Sequence, residues 1–149
     1  MSKSSWAPAD GVEPLEERTY HFALRVVRLA QALPDNVVGR RVGDQVLRSG
    51  TSIGANVEEA IGALSRRDFA HRMSIAWREA RETHYWLRLI RDSELLKPAQ
   101  MEPLIQESLE IKRILGKTAS TARKSLRERR VIYHTKKNRR STPGPNSAF

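Results

Sequence analysis

Apolar positions in this chain recur at alternating steps of four and three, the spacing that lines one side of an α-helix. Phe69, Met73, Ala76, Ala80, Thr83, Leu87 and Ile90 keep that phase without a break. A second run passes through Val42, Val46, Ser49, Ile53, Asn56, Ala60 and Ala63, with an asparagine on its seam and Gly50 and Gly54 one turn apart beside it. A glycine inside a helix costs about 1 kcal/mol relative to alanine. The pattern therefore predicts that a partner helix approaches closely at these two glycines. Phe22, Val26, Leu29, Ala30 and Leu33 mark another run, and Leu104, Ser108, Ile111, Leu115, Ala119, Ala122 and Leu126 the last.

The residues between the runs set the boundaries. Pro34 stops the first helix, Asp35 and Asn36 can cap the second, and Ser65 with Asp68 three positions later has the form of a capping box. Glu16 and Glu17 suit the positive end of the first helix dipole, and Lys97-Pro98 breaks the hairpin before the fourth helix. Helices are predicted over about 15–33, 36–64, 66–93 and 98–130, with Gly39 and Gly43 weakening the first turns of the second. No strand pattern or internal repeat competes. Short turns between amphipathic helices predict an all-α fold, an up-down-up-down antiparallel four-helix bundle over 15–130. Residues 1–14, with two prolines and a glycine, read as a flexible arm that Trp6 can pin to the body. Residues 131–149 read as a disordered basic tail.

A chain of 149 residues is one domain by size. It has no cysteine, which removes disulfides, thiol nucleophiles and thiolate metal sites from consideration. It shows neither a signal-peptide core nor an apolar run of the roughly 18 residues that cross a bilayer, so no membrane partner is expected and the cytoplasm is the default location.

Charge changes the picture more than composition does. The net charge is +10, and most of it lies in one stretch. Arg123, Lys124, Arg127, Arg129, Arg130, Lys136, Lys137, Arg139 and Arg140 face a single acid there, Glu128. Clustered cations of this kind suit a polyanion such as RNA or DNA, although such ends also serve solubility alone.

The other polar candidates read as structural. Trp77, Tyr85 and Trp86 make the third helix aromatic, and core or interface filling is a simpler account of them than a base-stacking platform. Asn56 reads as a register-fixing asparagine bonded within the bundle. Glu59 and Glu82 read as carboxylates paired with Arg48 or Arg81, not as a catalytic pair. A di-iron bundle needs Glu-x-x-His, which does not occur here, and glycine-rich phosphate loops are missing. No catalytic residue, metal or cofactor is expected.

The run Arg48-Ser49-Gly50-Thr51-Ser52-Ile53-Gly54-Ala55-Asn56-Val57-Glu58-Glu59-Ala60, followed by Asp68-Phe69 and by Ile75 to Leu87, resembles a bacterial four-helix-bundle family. That family is named for proteins encoded in intervening sequences of 23S ribosomal RNA genes, and it is related to the accessory variability proteins of diversity-generating retroelements. The resemblance covers roughly residues 15 to 120. Its marks are Arg48, Ser52, Asn56 and Glu59 on the second helix and Glu82 on the third; the glycine usual after the glutamate is replaced by Ala60. The resemblance implies a homo-oligomeric ring, commonly a pentamer, without known catalysis. In the retroelement relatives it implies partnership with nucleic acid and a reverse transcriptase.

One enzymatic pattern stands beside this. Arg66 to His71 and Arg129 to His134 both have Arg-x4-His spacing, similar to the short motif of HEPN ribonucleases, in which arginine and histidine serve RNA cleavage. So many arginines make the spacing common by chance. The sequence favours a non-enzymatic, oligomeric nucleic-acid-binding accessory that holds RNA or DNA through the cations of residues 123–140. A protein-interaction scaffold is the alternative, and a HEPN-like ribonuclease ranks behind both.

Overall fold

A computed structural model describes residues 11–141. They fold into α1 (Leu15–Ala32), α2 (Val37–Ile61), α3 (Arg66–Asp92) and α4 (Pro98–Ser141). The expected arm over residues 1–14 falls mostly outside the described residues; only 11–14 are described, and they precede α1 without helix.

Local chemistry starts and stops these helices. The Asn36 Oδ1 accepts the Gly39 N–H at 2.9 Å to cap α2, and the Ser65 Oγ accepts the Asp68 N–H at 3.0 Å to cap α3. Each cap satisfies a backbone donor that no helical carbonyl can reach. Turns of four or five residues reverse the chain, and consecutive helices pack side by side in the order α1, α2, α3, α4. The ring of four closes between α1 and α4 through far fewer contacts.

The core holds Phe22 and Val26 of α1, Val46, Ile53 and Val57 of α2, Leu87 and Ile90 of α3, and Met101, Ile111 and Leu115 of α4, all almost fully buried. Inside it the Thr83 and Ser49 hydroxyls meet at 2.9 Å, so α2 and α3 bury a satisfied polar pair. The glycines behave as the pattern predicts. A β-carbon on Gly50 would lie 2.7 Å from Val26 Cγ1, and one on Gly54 would lie 3.3 Å from the Thr19 carbonyl oxygen. The closely approaching partner is α1.

Two expectations need correction. The α2 seam passes through Val57, not Asn56: Val57 is fully buried and Asn56 stays half-buried at the bundle edge. The Asn56 Nδ2 donates to the Ser52 carbonyl and the Ser52 Oγ, so it bonds along its own helix and not across the bundle. Both positions fit a four-three step, and the apolar side chain takes the interior because burying an amide without a partner is costly.

Helix α4 also runs further than predicted. Residues 131–141, expected as disordered tail, are helical. The stretch from Arg123 to Arg140 holds no glycine or proline and is rich in arginine and lysine, so nothing local stops the helix before Pro143. The expected disorder of 142–149 lies outside the described residues.

Candidate nucleic-acid interface

The bundle uses α4 only as far as its neighbours extend. Leu115 and Ala119 are buried, Ala122 and Leu126 are half-buried, and from Arg127 onward every described side chain is exposed. At 1.5 Å per residue, Arg123 to Ser141 makes an overhang of about 27 Å. All nine predicted cations, Arg123, Lys124, Arg127, Arg129, Arg130, Lys136, Lys137, Arg139 and Arg140, stand exposed on it, and Glu128 is its one acid. A helix holds these charges at fixed spacing, which a disordered tail does not.

The overhang is not purely charged. Val131, Ile132 and Tyr133 are exposed large apolar residues. Tyr133 stands edge-on to His134, ring centroids 5.9 Å apart. Tyr133 also lies seven positions beyond Leu126, so the line that faces the core lower down becomes basic and aromatic beyond the bundle.

At the root of the overhang the structure assembles a group that sequence spacing does not reveal. Two guanidinium groups meet at the Trp77 ring of α3, Arg81 at 5.0 Å and Arg123 at 5.7 Å from its centroid. Its Nε1 crosses α4 at Gly116, where an added β-carbon would come within 2.9 Å. The half-buried indole orients two arginines through its electron-rich faces. It is a mount for cations, not an open stacking platform.

The remaining motif residues divide. Arg48 of α2 bonds the Glu82 carboxylate of α3 and reaches Glu79 at 3.3 Å, while the Trp86 Nε1 donates to Glu82 at 3.2 Å. The Arg48 hydrogen bond, and then that of Trp86, hold the Glu82 carboxyl below its ordinary pKa. Arg48 is thus the partner that Glu82 takes, and Arg81 goes to Trp77. Ser52 and Asn56 continue the same side of α2, whereas Glu59 is exposed and stands apart. Arg48, through Glu79 and Glu82, clasps α2 to α3. A second clasp joins α1 to α4: Arg18 bonds Glu107 at 2.7 and 2.9 Å and Glu110 at 2.5 Å.

Arg66 and His71 are both exposed near the start of α3, and five positions on a helix turn the second through roughly 140° from the first. Arg129 and His134 repeat this offset on the overhang. Among the described residues no three histidine, aspartate or glutamate side chains form a metal-binding group, and no helix is long and apolar enough to cross a membrane.

The model of the 23S rRNA-intervening sequence protein family matches residues 15–117. The chain is similar to a crystal structure of a protein of unknown function from the S23 ribosomal protein family of Bacteroides thetaiotaomicron. The two share 39% identity over 71% of this chain and 95% of that chain, with a TM-score of 0.66. None of the curated proteins matches. The family match takes in the Arg48–Glu82 clasp and Trp77 and stops before the overhang.

Proposed function

Because the chain belongs to the 23S rRNA-intervening sequence protein family, we propose that it is a non-catalytic accessory protein that binds RNA or DNA through the overhanging end of α4. The observation that carries this reading is the exposed helix itself, nine cations against one acid over residues 123–140, seven of them past Leu126, the last half-buried residue of α4. Phosphate contacts need positive charge within reach, and each one releases condensed counterions, so this binding is salt-dependent and reads little sequence. Arginine adds a planar fork that matches phosphate in two contacts.

Assembly into a homo-oligomeric ring, with a pentamer as the proposed size, multiplies this charge and gives avidity that one subunit lacks. In its support, the outer groove between α1 and α2 is lined by Tyr20, Leu24, Val27, Gly54 and Ala55, with Tyr20 and Leu24 exposed. The polyanion is ribosomal RNA or the nucleic acid of a reverse transcriptase that the protein assists.

Truncation after Ala122 tests the reading. The shortened protein, folded by circular dichroism, is expected to lose most of its affinity for structured RNA and most of its salt dependence. Unchanged affinity and salt dependence overturn the proposal. The apolar α1/α2 groove also favours a second reading, a protein-interaction scaffold. That reading predicts capture of one protein partner that survives nuclease treatment, with no measurable binding of nucleic acid.

A further inference from the structure

The outer seam between α3 and α4 gathers positive charge on the bundle itself. Arg81, His84 and Arg88 follow one another at steps of three and four on α3, and Lys112 faces them from α4. His84 Nδ1 meets the buried Ser108 Oγ at 2.8 Å, which fixes the register of the two helices at this level. Among the described residues no carboxylate comes within ion-pair distance of Arg81, Arg88 or Lys112. The other pairs among the described residues are placed elsewhere: Arg18 with Glu107 and Glu110, His21 with Glu13, Arg40 with Asp35, Arg48 with Glu79 and Glu82, Arg72 with Asp68, and Arg91 with Asp92 and Glu102 at the far end of the seam.

The like charges act on one another. Burial, and then Arg88, Arg113 and Arg81, push the Lys112 ammonium below its ordinary pKa. Burial, and then Lys112, Arg88 and Arg91, do the same to His84. Cations crowded and partly desolvated in this way weigh against the folded chain, and an anion seated among them relieves the repulsion more strongly than it would in open water. The Trp77 mount adds preorganisation by holding Arg81 and Arg123 at the lower end of the seam.

The seam is also continuous with the overhang. Lys112, Gly116, Arg123, Arg127, Arg130 and His134 succeed one another at steps of three, four or seven, so they share one side of α4. Lys112 to His134 spans about 33 Å, close to one turn of B-form DNA at about 34 Å.

We infer that the α3/α4 seam around Arg81, Arg88 and Lys112 is a binding site for the phosphodiester backbone of a nucleic-acid duplex, which continues from the overhang onto the bundle. The inference rests on the nucleic-acid reading above and places part of the contact on the bundle itself. Cations on two packed helices give the duplex one orientation, whereas those of the overhang lie on a single helix.

Full-length protein carrying Arg81→Ala, Arg88→Ala and Lys112→Ala is titrated with RNA and DNA duplexes of about 20 base pairs, beside a full-length variant with Arg127, Arg129, Arg130, Lys136 and Lys137 changed to alanine. The seam variant is expected to lose affinity about tenfold or more for both duplexes, and its salt slope is expected to fall by about 2 to 3 through three lost phosphate contacts. A seam variant that binds like wild type, while the overhang variant fails, overturns the inference and leaves the overhang reading standing. The reverse result supports the seam and overturns the overhang reading. No binding by wild type overturns both. Wild-type protein supplies a readout independent of any variant's folding. A phosphate seated beside His84 favours its charged form, so its imidazole, followed by NMR, is expected to titrate at higher pH when duplex is bound. An unmoved His84 titration at saturating duplex contradicts the inference.

Discussion

Gly50 of α2 lies against both γ-methyls of Val26 on α1, so close that a β-carbon at Gly50 would meet them at 2.7 and 2.9 Å. Val26 is fully buried and branched at its β-carbon, so it has little freedom to move aside. Alanine at Gly50 gains about 1 kcal/mol of helix propensity and incurs about 1–3 kcal/mol of overpacking. Gly50→Ala is expected to destabilise the protein by up to about 2 kcal/mol on that balance. At Gly43 the added carbon meets only the end of the Leu33 side chain, at 3.3 Å. Gly43→Ala is therefore expected to leave stability unchanged or raise it by up to about 1 kcal/mol. Urea unfolding of the two variants checks the contrast, and equal effects contradict it.

The Arg18 clasp bears on the least packed contact of the bundle. Arg18 and Glu107 are mostly buried and share two hydrogen bonds, while α1 and α4 touch elsewhere only sparsely. Arg18→Ala is expected to cost about 1–2 kcal/mol, more than a typical exposed pair. A double-mutant cycle with Glu107→Gln measures the coupling, and a coupling near zero contradicts the assignment.

Acid is expected to weaken the fold in two steps. His84 is held below its ordinary value of 6.5 by burial and then by Lys112, Arg88 and Arg91. The unfolded chain takes that proton first, so stability falls as pH drops below about 6.5 and stops falling for this reason once folded His84 is also charged. Glu82 and Glu107 are held below their ordinary value of 4.5, chiefly by hydrogen bonds from Arg48 and Arg18. Their contribution is full above that value and is lost as pH falls through the lower folded values. Thermal melting from pH 8 to pH 3 checks both steps. His84→Gln is expected to flatten the first step and leave the second. A first step of the same size in His84→Gln contradicts its origin.

How much of this was legible depends on whether a feature lies on one helix or between two. The α3 seam from Met73 to Ile90 is buried as its spacing predicts. At Asn56 and Val57 two adjacent residues fit the same step, and only burial decides between them. The cations of 123–140 were plain in the sequence, and so was their helix as far as about 130; its extension to Ser141 was not, because a run of charge carries no apolar period to mark it. The Trp77 mount and the Arg81, Arg88 and Lys112 seam were out of reach. They depend on which turn of α3 faces which turn of α4, and the His84 contact with Ser108 shows that register only in three dimensions.

The central claim is that the overhanging end of α4 holds nucleic acid by neutralising phosphate. The most direct test is the salt dependence of binding between full-length protein and duplex RNA. With at least five phosphates contacted, the plot of log affinity against log salt is expected to fall with a slope of about −4 or steeper. Replacing Arg127, Arg129, Arg130, Lys136 and Lys137 by alanine is expected to flatten that slope by several units. A shallow slope in the wild-type protein, or a steep one that survives the five substitutions, contradicts the claim.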